Sequence, residues 1–81
     1  MFDKLKQIKE LRDLQQEIKK ESYEAEQQGT RIAMNGTFEV QEIHLNPELS
    51  NEQQEKALVE TFNELVRKVQ MAMAQRFRGM M

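Results

Sequence analysis

Apolar residues recur at helical spacing in two stretches of the chain and alternate at strand spacing between them. From residue 2 to about 21, Leu5, Ile8, Leu11, Leu14 and Ile18 return every three or four positions, separated by Lys, Arg, Glu and Gln. That period predicts an amphipathic helix. Asp3 and Glu10 suit its N-terminal part, and Lys19 and Lys20 suit the negative end of its dipole. A second helix is predicted over residues 51–78. Ser50 and Gln53 have the spacing of a capping box. Leu58, Phe62, Leu65, Val69 and Ala72 then recur at four-three-four-three, the spacing of a helix–helix seam. Val59, Val66, Met73 and Met80 form a second row at seven-residue intervals, with Phe77 beside it.

The middle reads as a small sheet. Ile32 and Met34 alternate with Arg31, Ala33 and Asn35 across residues 30–35. Asn35-Gly36 is the signature of a type I′ hairpin turn, which needs two positive φ angles. Residues 37–45 make the partner strand, and Asn46-Pro47 ends it. Residues 22–28 admit two readings. Glu24, Ala25, Gln27 and Gln28 are compatible with a helix, whereas Tyr23 and Ala25 could line one face of a short strand. Gly29 then interrupts the chain before Thr30.

The segment MNGTFEVQEIHL, residues 34–45, changes phase: Phe38 and Val40 keep one alternation, Ile43 and Leu45 the other. A β-bulge at Gln41-Glu42 would return all four to one face and to one core with Ile32 and Met34. The other account is a sheet with both faces partly buried, one under helices and one against a second subunit.

At 81 residues the chain is a single domain, 1–81, with a core too small to be comfortable alone. It has no Cys, so no disulfide or thiolate–metal framework reinforces it. No apolar run approaches the roughly 18 residues of a membrane span, and the charged start is unlike a secretory signal. A soluble, cytoplasmic oligomer is expected. The last helix, roughly 40 Å long, outreaches strands of roughly 17–27 Å. Its distal part therefore calls for a second copy of the chain. The candidate dimer interface comprises Leu58, Phe62, Leu65, Val66, Val69, Met73 and Phe77.

The net charge of -2 hides a strong asymmetry. Residues 1–20 carry +2, residues 21–65 carry -8, and residues 66–81 carry +4. Basic ends flank an acidic middle. If one helix enters the sheet and the other leaves it, Lys4, Lys6, Lys9 and Arg12 converge with Arg67, Lys68, Arg76 and Arg78. Such a set could bind nucleic-acid phosphates in a salt-sensitive, weakly sequence-specific way, although basic helix faces are commonly just solvated. Catalysis has no footing. His44 is the only histidine, and no HExxH, GxSxG or P-loop pattern occurs. Glu39, Glu42, Glu48, Glu52 and Glu55 lack the spacing of a calcium loop and read as a solvated acidic face. No cofactor or metal is implied.

Three stretches carry a resemblance: MFDKLKQIKELRDLQQEIKKE, MNGTFEVQEIHLNPEL and LVETFNELVRKVQ. The chain resembles the YbaB/EbfC family of bacterial nucleoid-associated proteins over nearly its whole length. The resemblance implies an α+β fold of order α-β-β-β-α, with a three-stranded antiparallel sheet between two long helices. It also implies a homodimer with projecting helices, and non-catalytic DNA binding linked to gene regulation, replication or recombination proteins. The first strand, at about residues 23–26, comes from this resemblance, since SYEAEQQG keeps only Gly29 where the family has several glycines. A protein-interaction or adaptor module without direct DNA binding is the alternative function.

Overall fold

The computed structural model describes residues 2–78, with side chains from residue 4 onward. Met80 and Met81 of the methionine-rich end lie outside the described residues. Five elements succeed one another: α1 (Phe2–Lys20), β1 (Ser22–Gln27), β2 (Thr30–Asn35), β3 (Val40–His44) and α2 (Asn51–Arg78). The strands form one antiparallel sheet in the order β1-β2-β3. This is the α-β-β-β-α architecture, and the segment open to two readings resolves as strand up to Gln27.

The two turns exchange the roles expected of them. Gln28 and Gly29 have φ of 52° and 81° and join the paired residues Gln27 and Thr30. That is the two-residue turn with two positive φ angles. Asn35-Gly36 instead opens a longer loop. The Phe38 amide donates to the Asn35 carbonyl at 3.1 Å, and the Asn35 amide donates to the Glu39 carbonyl at 3.0 Å. Asn35 Oδ1 accepts from the Thr37 and Glu39 amides, each at 3.0 Å. The result is a three-residue loop whose last residue is left-handed, and that residue is Phe38, with φ of 63°.

Gly36 is needed for space. A Cβ there would lie 2.3 Å from Ile18 Cγ2 and 2.8 Å from the Ile18 carbonyl oxygen. The close approach satisfies the end of α1. The Ile18 carbonyl accepts from the Gly36 amide at 3.1 Å and the Glu21 amide at 3.2 Å.

The phase change is a bulge. Ile32 pairs with Ile43 and Ala33 with Glu42, but Met34 pairs with Val40, leaving Gln41 as the extra residue. Directly paired residues share a face, so Val40 and Ile43 do lie on the side of Ile32 and Met34. They do not join the same core. Phe38, Val40, Ile43 and Leu45 are 45%, 45%, 51% and 57% exposed. The reason is width. α2 packs over β1 and β2, and a helix about 10 Å across spans roughly two strands spaced about 4.8 Å apart. The third strand is left bare.

The capping box is formed: the Gln53 amide donates to Ser50 Oγ at 3.2 Å, and the Ser50 amide to Gln53 Oε1 at 3.0 Å. Beyond it, α2 buries Ala57, Thr61, Leu65, Val69 and Met73. This row, at four-residue intervals, drifts by about 40° per step around the helix, as it must to track a twisted sheet. The small Ala57 and Thr61 let the helix approach closely, and Leu58 and Phe62 fall on its flank. The Thr61 hydroxyl, wholly buried, donates to the Ala57 carbonyl at 2.6 Å. Leu65, Val69 and Met73 close the core with Ile18, Ala25, Ile32 and Met34. Met73, expected to need a second copy, is therefore covered within the chain.

α1 behaves differently. Among its described side chains only Ile18 is buried and Leu14 packs against the core, while Leu5, Ile8 and Leu11 are 66%, 55% and 62% exposed. The molecule measures 59 × 20 × 13 Å, longer than the roughly 42 Å of α2 alone. Its radius of gyration of 16.6 Å exceeds the roughly 12 Å of a compact chain of this length. The N-terminal turns of α1 form a bare arm.

Candidate nucleic-acid interface

The eight basic residues singled out in the sequence divide into two groups. Lys4, Lys6, Lys9 and Arg12 are exposed along the arm. With about 100° per residue, Lys9, Arg12, Gln16, Lys19 and Lys20 fall on one flank of α1. Glu10, Asp13 and Glu17 fall on another. The helix is therefore split lengthwise by charge, with the apolar stripe between the two flanks. On α2, Arg67 and Arg78 are also exposed, and none of these six cations has a carboxylate within 4 Å among the described side chains.

Lys68 and Arg76 are committed within the chain. Lys68 Nζ donates to the Glu24 carbonyl at 2.9 Å, which occupies a free acceptor on the edge strand β1. Arg76 forms an ion pair with Glu21 and approaches Glu17 at 3.9 Å. The Tyr23 hydroxyl donates to the same Glu21 carboxylate at 2.6 Å. That bond, with smaller help from Arg76, holds the Glu21 carboxyl below its usual range. It also pushes the Tyr23 hydroxyl up, with burial adding to the effect. This cluster ties the C-terminal end of α2 to the C-terminal end of α1. The sequence reading missed Glu21 and Tyr23. The only available signal was Glu17 and Glu21, one helical turn apart and opposite an otherwise acid-free C-terminal segment.

The apolar candidates divide in the same way. Leu65, Val69 and Met73 face their own sheet and are buried. Leu58 and Val66 are half-buried against the core, and Phe62 and Phe77 are exposed at 43% and 49%. Phe62 and Val59 border a shallow apolar groove of about 300 Å³ with Ile32, Ile43 and Leu58. This groove is the gap between α2 and the uncovered β3.

The remaining surface is acidic. Opposite α2, the sheet presents Glu24, Glu26, Arg31, Glu42 and His44, with Arg31 on Glu24 at 3.2 Å and His44 on Glu42 at 2.9 Å. The His44 contact holds the Glu42 carboxyl low. Among the described residues, no group of three or more His, Asp or Glu side chains is placed to hold a metal ion. No described helix is long and apolar enough to cross a membrane.

An α-β-β-β-α chain with cations on an exposed helix and an acidic sheet behind it has the charge separation suited to contacting nucleic-acid phosphates. The family model of the YbaB/EbfC DNA-binding family matches residues 1–81, the whole chain. The chain belongs to that family. No curated protein is significantly similar to it.

Proposed function

We propose that this protein binds duplex DNA as a homodimer, without catalysis, as a nucleoid-associated component of the bacterial cytoplasm. The observation that carries the reading is the bare arm of α1. Its cations Lys4, Lys6, Lys9 and Arg12 are exposed and free of carboxylate partners among the described side chains. Arg67 and Arg78 extend the cationic set onto α2. The uncovered Val40, Ile43, Leu45, Val59 and Phe62 support a dimer. A second copy seated there would cover the third strand that one helix cannot reach. Gene regulation, or an association with replication or recombination proteins, fits a DNA-bound dimer of this family.

Charge reversal tests the reading. Lys6, Lys9 and Arg12 changed together to Glu, beside Arg67→Glu/Arg78→Glu, should each weaken a duplex mobility shift and flatten its salt dependence. Each lost phosphate contact removes about 0.9 from the slope of log K against log salt. Lys68 and Arg76 are left intact because both hold the fold. Unchanged shifts in both variants would sink the assignment. Light scattering at micromolar concentration should give twice the chain mass.

The adaptor reading draws on the same apolar groove, filled by another protein in place of a second copy. It requires a stable monomer by light scattering and no DNA shift at low salt.

A further inference from the structure

A second groove, of about 600 Å³, runs between α1 and the loop joining β2 to β3, lined by Arg12, Gln15, Gln16, Lys19, Thr37 and Glu39. Unlike the groove beside Phe62, it is polar. Its four helical residues are spaced i, i+3, i+4 and i+7, one continuous face of α1. Two cations bracket two amides, and Thr37 and Glu39 form the opposite wall, the Thr37 hydroxyl engaged with Asn35 and Glu39. Guanidinium, ammonium, amide and hydroxyl donors are the groups that contact the sugar–phosphate backbone.

The opposite wall is stiff. Asn35 Oδ1 accepts from the Thr37 and Glu39 amides at 3.0 Å, and Gly36 is pressed against Ile18. Glu39 is the one acidic lining residue. Its Oε1 lies 2.8 Å from the Thr37 hydroxyl, 3.2 Å from Asn35 Nδ2 and 3.9 Å from Lys19 Nζ. Lys19 is thus the cation in this groove already paired, and Arg12, about 10 Å away along the helix, is the open one.

The geometry points to this groove as a seat for the DNA backbone, in which Arg12, Gln15 and Gln16 take a phosphate directly and Lys19 joins after leaving Glu39. This inference rests on the DNA-binding reading. It adds residues that reading did not contain, and it makes Glu39 a brake on the contact.

The test is a salt titration of binding to a short duplex, starting near about 50 mM. Glu39→Gln keeps an acceptor for Thr37 and Asn35 but frees Lys19. It should tighten binding severalfold and steepen the slope by about one phosphate contact. Lys19→Gln added to it should reverse the gain, yet change little on its own. Gln16→Glu puts a carboxylate between the two cations and should weaken binding at least about tenfold. Both sites are solvent-exposed, and far-ultraviolet circular dichroism verifies folding. Glu42→Gln, on the acidic sheet face, removes the same charge elsewhere and should leave the slope unchanged. If the wild-type chain binds DNA while Glu39→Gln and Gln16→Glu match it, or Glu42→Gln equals Glu39→Gln, the groove is not the seat. No binding by the wild-type chain overturns both readings.

Discussion

α1 and α2 carry similar apolar periodicities and meet opposite fates. α2 buries a row from Ala57 to Met73 against its own sheet, whereas α1, among its described side chains, buries only Ile18 and leaves Leu5, Ile8 and Leu11 bare. Their cations differ as well. α2 commits Lys68 to a strand carbonyl and Arg76 to Glu21. The four cations of the arm have no such partners among the described side chains. An amphipathic pattern states that a helix wants cover, but not which chain supplies it. One helix here is scaffold. The other keeps its apolar stripe open, and an isolated helix of this length is marginal in water until something packs on it.

That contrast can be broken at its strongest point first. Leu65→Ala removes a wholly buried side chain and should cost about 2–5 kcal/mol in urea melts. Leu11→Ala, on the arm, should cost little within one chain. A loss that grows with protein concentration would show that a second copy covers it.

Gly36→Ala probes the junction between the helices. The new methyl meets Ile18 side chain and backbone, so α1 must shift, at about 1–3 kcal/mol. If the arm carries the DNA contacts, this change should also weaken DNA binding although no cation is altered.

The Arg76–Glu21–Tyr23 cluster sharpens the comparison through pH. The folded-state pKa of Glu21 is lowered, so between that value and the unfolded value, near about 4.3, the unfolded chain binds more protons. The contribution is present above the unfolded pKa and is lost as pH falls through the folded one. Tyr23 works in the opposite sense. Its raised pKa gives a contribution present below about 10 and lost as pH rises through the folded value. Tyr23→Phe should flatten both limbs of the pH–stability profile, because its hydroxyl bond is the largest single cause of the lowered Glu21 pKa, whereas Arg76→Gln should flatten the acid limb alone. Both variants are partly solvent-screened, so each should cost no more than about 1 kcal/mol at neutral pH. The smallest expected effect is at the loop. Phe38→Gly relieves a left-handed φ and should stabilise the fold by about 0.5 kcal/mol, read as a small rise in melting midpoint.

Elements with strong local signals were legible in the chain. Both helices, the capping box at Ser50 and Gln53, the second strand and the bulge at Gln41 each arise from spacing within a few residues. The turns were less so. Asn35-Gly36 has the composition of a type I′ turn, but Ile18 sits where only a glycine fits, and the Asn35 side chain organises a longer loop instead. Gln28-Gly29 took the two-residue turn with a weaker signature because the register of β1 on β2 demanded it. Strand β1 was one of two local readings, decided only by the family resemblance, since its six residues pair with β2 by contacts that no local propensity encodes. On the site, the cations were countable in advance, but their engagement was not. Lys68 meets Glu24 across 44 positions and Arg76 meets Glu21 across 55.

The chain alone therefore determined its periodicities, its charge asymmetry and its family, because each is written in nearest-neighbour spacing or in residue type. The fold decided the rest: that α2 rather than α1 is covered, that β3 keeps an apolar face in the open, that two of the α2 cations are engaged internally, and that Glu39 stands against Lys19. Each of these depends on which distant residues come within a few ångströms of one another, and on the plain fact that one helix is too narrow to cover three strands.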